Sequence, residues 1–151
     1  MADRKDEFLP KYHRAMVLAM KEDLEKVKPR IASVWIKEWM EGLEPPPGDT
    51  EEFRARFEGF LRELGFSESS TVSVEAGELS IRVEGCSICP GNELLRQGGE
   101  PTLCPILATG LQAISRVLGS NATLLGVEKE DRVGYCTIRY ELATKTGGGG
   151  G

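Results

Sequence analysis

The stretch Thr71-Val-Ser-Val-Glu75, then Ala76-Gly77, then Glu78-Leu-Ser-Ile-Arg-Val83 restricts the fold more than any other part of the chain. Apolar and polar residues alternate on both sides of a two-residue turn, a pattern only a half-buried β-hairpin satisfies. A two-residue turn at Ala76-Gly77 pairs Val74 with Leu79 and Val72 with Ile81. All four side chains then lie on one face, which must be covered by something else. A second alternating pair, Thr123 to Glu128 and Tyr135 to Leu142, places Cys136, Ile138, Tyr140 and Leu142 on one inner face.

Helical spacing surrounds these strands. From Phe8 to Leu43 apolar residues recur at a helical period, interrupted at Pro29, where a kink or the meeting of two helices is expected. Trp35 and Trp39, one turn apart, serve either the core or a subunit interface. Glu44-Pro-Pro-Pro-Gly48 is a stiff linker. Asp49 with Glu52 caps a helix that carries Phe53, Phe57, Phe60, Leu61 and Leu64 on one side and stops at Gly65. Asn92 to Gln97 reads as a short helical turn. Pro101 to Leu118, apolar nearly all round, reads as a buried helix crossing the sheet. The expected fold class is α+β: a four-stranded antiparallel sheet from two hairpins, a buried crossing helix, and helices in front. One domain over 1–146 is expected, with helices over 1–44 and 49–65, a sheet-helix-sheet module over 70–142, and a disordered glycine tail at 147–151.

Function classes narrow by exclusion. The chain has 151 residues, a net charge of −5 and no basic stripe, which disfavours nucleic acid as a partner. No apolar run approaches the ~20 residues of a membrane span, and the charged start MADRKDEFLPKYHR is not a signal peptide. A cytoplasmic location is therefore expected. His13, the one histidine, sits among charges on the first helix and reads as a surface residue. Gly98-Gly99 ends a turn and cradles no phosphate. Asn121-Ala-Thr123 matches a glycosylation sequon that has no meaning in the cytoplasm.

Four cysteines carry the chemistry, spaced Cys86-x2-Cys89-x14-Cys104-x31-Cys136. In a reducing compartment such a set points to metal or redox chemistry before structural disulfides. Cys86 and Cys89 follow strand two in a loop framed by glycine and proline. Cys104 opens the crossing helix, and Cys136 points inward from the last strand. Their sulfurs converge if the helix start lies over the inner face, where a helix amino terminus favours thiolates. Four thiolates suit tetrahedral zinc, with a 4Fe-4S cluster as the alternative. A reversible Cys86–Cys89 disulfide is a third expectation, and a cysteine-nucleophile enzyme using Cys104 is a fourth. Cys136 taken alone is equally explained as a small buried hydrophobe.

The segment from Val72 to Leu142 resembles the 4-vinyl reductase domain family. The resemblance rests on the hairpin ending in Gly85-Cys86, on Cys104-Pro-Ile-Leu-Ala-Thr-Gly110-Leu opening a helix that ends at Leu118-Gly119, on Glu128, and on Gly134-Tyr-Cys136-Thr-Ile-Arg-Tyr140. It covers about half the chain. It implies a non-enzymatic ligand-binding or sensory module with an apolar pocket between the sheet and the first helices. In sensory relatives zinc is held by the helix-start cysteine, a Glu-x-x-Cys on the third strand and a cysteine on the fourth. The resemblance carries these roles to Cys104, Glu128 and Cys136. Asp131 stands where the Glu-x-x-Cys cysteine is expected, and the additional Cys89 offers a replacement. A small apolar molecule is the expected partner, with a homodimer through the first helix as a further expectation.

Overall fold

In the computed structural model, which describes residues 4–143, the first helical stretch divides at residues 20–23. Helix α1 spans Arg4–Ala19, a 3-10 turn covers Lys21–Asp23, and helix α2 runs over Leu24–Glu41 with Pro29 inside it. The break expected at Pro29 is thus displaced. Pro29 lies in the second turn of α2, where it removes one backbone donor, and its carbonyl accepts a hydrogen bond from Gln112 Nε2 at 2.9 Å. Packing explains the actual break. Val17 before it and Leu24 after it both enter a small core with Leu95 and Leu103.

Helix α3, Thr50–Leu64, forms as its end signals require. Asp49 Oδ1 accepts the Glu52 N–H at 2.8 Å, and Gly65 closes the helix in the left-handed region at φ 71°. Its aromatic face meets α2. The Trp39 ring lies 4.9 Å from that of Phe60 and 5.6 Å from that of Phe57, so Trp39 packs on the core. The space between the front helices and the sheet is thereby filled by Phe53, Phe57, Phe60 and Leu61, all buried.

Strands β1 (Ser69–Glu75) and β2 (Glu78–Glu84) pair with Val72 opposite Ile81 and Val74 opposite Leu79, the register expected from the turn. Helix α4 (Cys89–Gln97), helix α5 (Pro105–Ala113) and a π-helical turn (Ile114–Leu118) follow, then β3 (Ala122–Lys129) and β4 (Cys136–Leu142). The four strands form one antiparallel sheet in the order β1-β2-β4-β3, and the fold is α+β. The free edge of β1 is closed by α3. Val72 N–H donates to Glu58 at 2.9 Å, Arg54 donates to Val72 O at 3.1 Å, and Arg62 donates to Ser70 O at 3.1 Å.

Two helix starts differ from expectation. Helix α4 begins at Cys89, three residues before the expected turn, because Pro90 in the first turn gives up only an amide that would have no partner there. The crossing helix begins at Pro105. Residues 101–104 precede it without helical structure, and Cys104 is extended at φ −123°. Helix α5 lies on the inner face of the sheet, where Ile106, Ala113 and Ile114 share a core with Ile81, Ile138 and Tyr140. Among the described residues no helix is long and apolar enough to cross a membrane. The glycine tail at 147–151 lies outside the described residues.

Candidate functional site

Gly85 ends β2 in the left-handed region at φ 71° and turns the chain toward the start of β4. The Cys86 N–H donates to Gly134 O at 2.9 Å, and Ser87 N–H donates to Phe66 O at 2.8 Å. These bonds fix the loop that carries the first two cysteines. Gly134 is needed at the other side. A Cβ there would come within 3.0 Å of Cys86 N, and its φ of 94° already disfavours a side chain.

The four cysteines are all free, and all four belong to or pack against the main core. Cys86 is buried at the end of the hairpin, with the amides of Ile88 and Cys89 facing its sulfur. Its sulfur lies close enough to that of Cys89 for each to shift the ionisation of the other. That contact, followed by burial, holds the Cys86 proton firmly in place. The same proximity draws the Cys89 thiol down to about 7, against the opposing effect of burial and with help from Lys129, Arg96 and the Gly134 amide.

Cys104 occupies the cap position of α5. Burial pushes its thiol up, while the amides of Ile106 and Leu107 pull it back without closing a capping bond. Cys136 is the first residue of β4, opposite Val83 on β2 and Lys129 on β3. Burial raises it to about 11, and the charges of Cys89 and Cys104 add to the rise. Tyr140, one step further inward, is pushed up first by burial and then by Cys104 and Cys136.

Cys89, Cys104 and Cys136 border one cavity of about 260 Å³ at the end of the sheet. Leu107, Val127, Val133 and Ile138 give it apolar walls, and the Glu130 to Tyr135 loop forms its rim. This cavity lies away from the sheet and front-helix interface where an apolar pocket was expected. Arg132 at the rim stacks over the ring of Tyr135 at 4.1 Å, and Arg96 is tied to Glu93 at 3.0 Å. Lys129 projects from the same face as Cys136 and forms no salt bridge among the described residues.

The residues carried over from the family resemblance separate. Glu128 is opposite Thr137, on the outer face of the sheet, and its carboxylate takes a 2.9 Å bond from Arg139, which also grips Glu78. It therefore points away from the cysteines. Asp131 does border the cavity. His13 corrects the surface expectation, for its Nε2 lies 2.8 Å from Asn92 Oδ1 in a partly buried contact. Lys129 was not anticipated, and Gly134 was named only as part of the motif around Cys136. Strand alternation could have found Lys129, since it shares the parity of Val127 and faces inward.

Among the described residues no group of three or more Cys, His, Asp or Glu side chains is already arranged to hold a metal ion. Three sulfurs border the cavity beside the carboxylates of Glu93, Glu130 and Asp131, a set of donors chemically compatible with a thiophilic ion such as zinc. Comparison with models of protein families, with curated proteins and with solved structures finds no match to this chain.

Proposed function

We propose that the protein is a small-molecule-binding or sensory module of the 4-vinyl reductase type, with a cysteine site for a metal ion beside its ligand cavity. One observation carries this reading: three thiols from three separate elements border the same cavity, and the fourth cysteine lies three residues before one of them at the end of the hairpin. Cys86, Cys89, Cys104 and Cys136 would hold the ion. Zinc is favoured over a 4Fe-4S cluster because four thiolates complete its tetrahedron without inorganic sulfide. Bound metal would fix the Gly85 to Pro105 segment and so set the shape of the cavity. Four free thiols are compatible with a reducing cytoplasm. The apolar walls favour a small apolar ligand. Exposed Phe8, Leu9 and Tyr12 on α1 favour a homodimer through that helix.

Metal analysis of protein purified under anaerobic conditions tests the metal reading. About one zinc per chain is expected, and less than about a fifth of an equivalent of zinc or iron overturns it. A brown solution would move the assignment to the cluster.

The nearness of Cys86 and Cys89, each of which shifts the ionisation of the other, favours a second reading, a dithiol switch in which these two sulfurs form a reversible disulfide. Thiol counting with and without oxidant separates the two. A switch loses two thiols to oxidant, whereas tightly bound zinc protects all four.

A further inference from the structure

We propose that the cavity at the end of the sheet takes a small apolar acid, its hydrocarbon body against Leu107, Val127 and Ile138 and its carboxylate on the ammonium of Lys129. This names the ligand class for the cavity and rests on the ligand-binding part of the reading above. It uses no cysteine chemistry and does not depend on the metal.

Strand register lays out the wall that such a molecule would follow. Val127 on β3 stands opposite Ile138 on β4, and two residues further along Lys129 stands opposite Cys136. All four side chains border the cavity. Residues two apart on a strand share a face and lie about 7 Å from each other. Over that distance the wall changes from hydrocarbon, with Ile138 buried and Val127 half-buried, to an exposed cation. Leu107 of α5 adds to the apolar part. An apolar wall with one charge at its exposed end is complementary to an amphiphile whose charge sits next to its hydrocarbon body.

The charges around the cavity single out Lys129 and set the sign of the ligand. Of the three cations there, Arg96 is tied to Glu93 at 3.0 Å and Arg132 lies over the Tyr135 ring at 4.1 Å. Lys129 forms neither kind of contact among the described residues. Two of the three carboxylates are engaged as well, Glu93 by Arg96 and Glu130 by Arg82 at 3.6 Å. The third, Asp131, lies beyond the end of β3 and is exposed to water. The cation left on the apolar wall is therefore Lys129. One ammonium matches one carboxylate, whereas a phosphate dianion would find no second free cation at the cavity among the described residues.

Size narrows the class further. A cavity of about 260 Å³ holds a ligand at the small end of the usual range, which admits a medium-chain or single-ring acid and excludes a long lipid.

The test titrates the full chain, purified under reducing conditions, with octanoate and with its neutral counterpart octanamide, and reads binding by calorimetry. Octanoate should bind at least about tenfold tighter than octanamide. Lys129→Gln changes an exposed position and leaves the core untouched. It should lower octanoate to the level of octanamide without moving octanamide itself, and Lys129→Arg should restore the preference. Arg96→Gln should leave the preference in place. Equal affinity for acid and amide, a preference that survives Lys129→Gln, or its loss in Arg96→Gln overturns the carboxylate assignment and leaves the ligand cavity standing. Binding of neither probe overturns both.

Discussion

His13 and Asn92, seventy-nine residues apart, meet with Nε2 2.8 Å from Oδ1. The same oxygen accepts the Leu103 N–H at 3.0 Å, and the Asn92 amide donates to Leu103 O at 2.9 Å. Because an amide oxygen only accepts, His13 donates through Nε2, which sets its tautomer. One buried side chain thus ties α1 to α4 and to the segment that carries Cys104. Asn92→Ala leaves both Leu103 backbone groups without partners, and the expected loss is about 2–4 kcal/mol in urea unfolding. His13→Ala, less buried, should cost about 1 kcal/mol. A cost for Asn92→Ala no larger than that of His13→Ala would show that water replaces these bonds.

The hairpin turn offers a gain in stability. Ala76 lies at φ 49° and Gly77 at φ 77°, both left-handed, as a primed two-residue turn demands. Alanine is strained there, by about 1 kcal/mol, whereas asparagine adopts this conformation readily. Ala76→Asn should raise stability by about 0.5–1 kcal/mol, or roughly 2–4 °C in Tm. A lowered Tm would mean that the turn relaxes by another route.

Elements were legible where local chemistry and packing agree. The β1–β2 register followed from alternation and a two-residue turn, and α3 followed from Asp49 and Gly65 at its ends. The break before α2 carries no such signal. Met20-Lys-Glu-Asp23 contains neither glycine nor proline, and the demand of Val17 and Leu24 for the same small core is visible only in three dimensions. At the site, the four cysteines and their placement on a loop, a helix start and a strand could be read directly. The facing direction of Glu128 is legible as well, since it alternates with inward Val127 and so stands as a solvated carboxylate on the outer face. The His13–Asn92 bond was out of reach, because a polar pair so distant in sequence leaves no periodic trace.

Gly110 marks the closest approach of α5 to the sheet. The Tyr140 hydroxyl passes beneath it and donates to Leu107 O at 3.0 Å, and a Cβ on Gly110 would run into that hydroxyl. Tyr140 is fully buried, so the ring has no free space into which to retreat. Gly110→Ala should destabilise by about 1–3 kcal/mol through overpacking. Tyr140→Phe should cost about 1 kcal/mol by removing the buried bond from the hydroxyl to Leu107 O. If Gly110→Ala melts with the parent protein, helix and sheet are less tightly packed than their geometry states.

The thiols also set a pH dependence in the metal-free protein. Cys89 is drawn down to about 7, below the usual thiol value, so its anion is favoured by the fold. Its contribution to stability is complete above the unfolded value and is lost as pH falls through 7. Cys136 is raised to about 11, so its effect has the opposite sign: stability declines as pH rises above the unfolded value toward 11. Between these limits thiolate absorbance near about 240 nm should report a single ionised cysteine. Urea unfolding should find stability rising from about pH 7 to about pH 9, and Cys89→Ser should abolish that rise while leaving the decline at higher pH. A rise that survives in Cys89→Ser would assign the low-pH proton to another group and break the link between the nearness of Cys86 and the lowered thiol of Cys89.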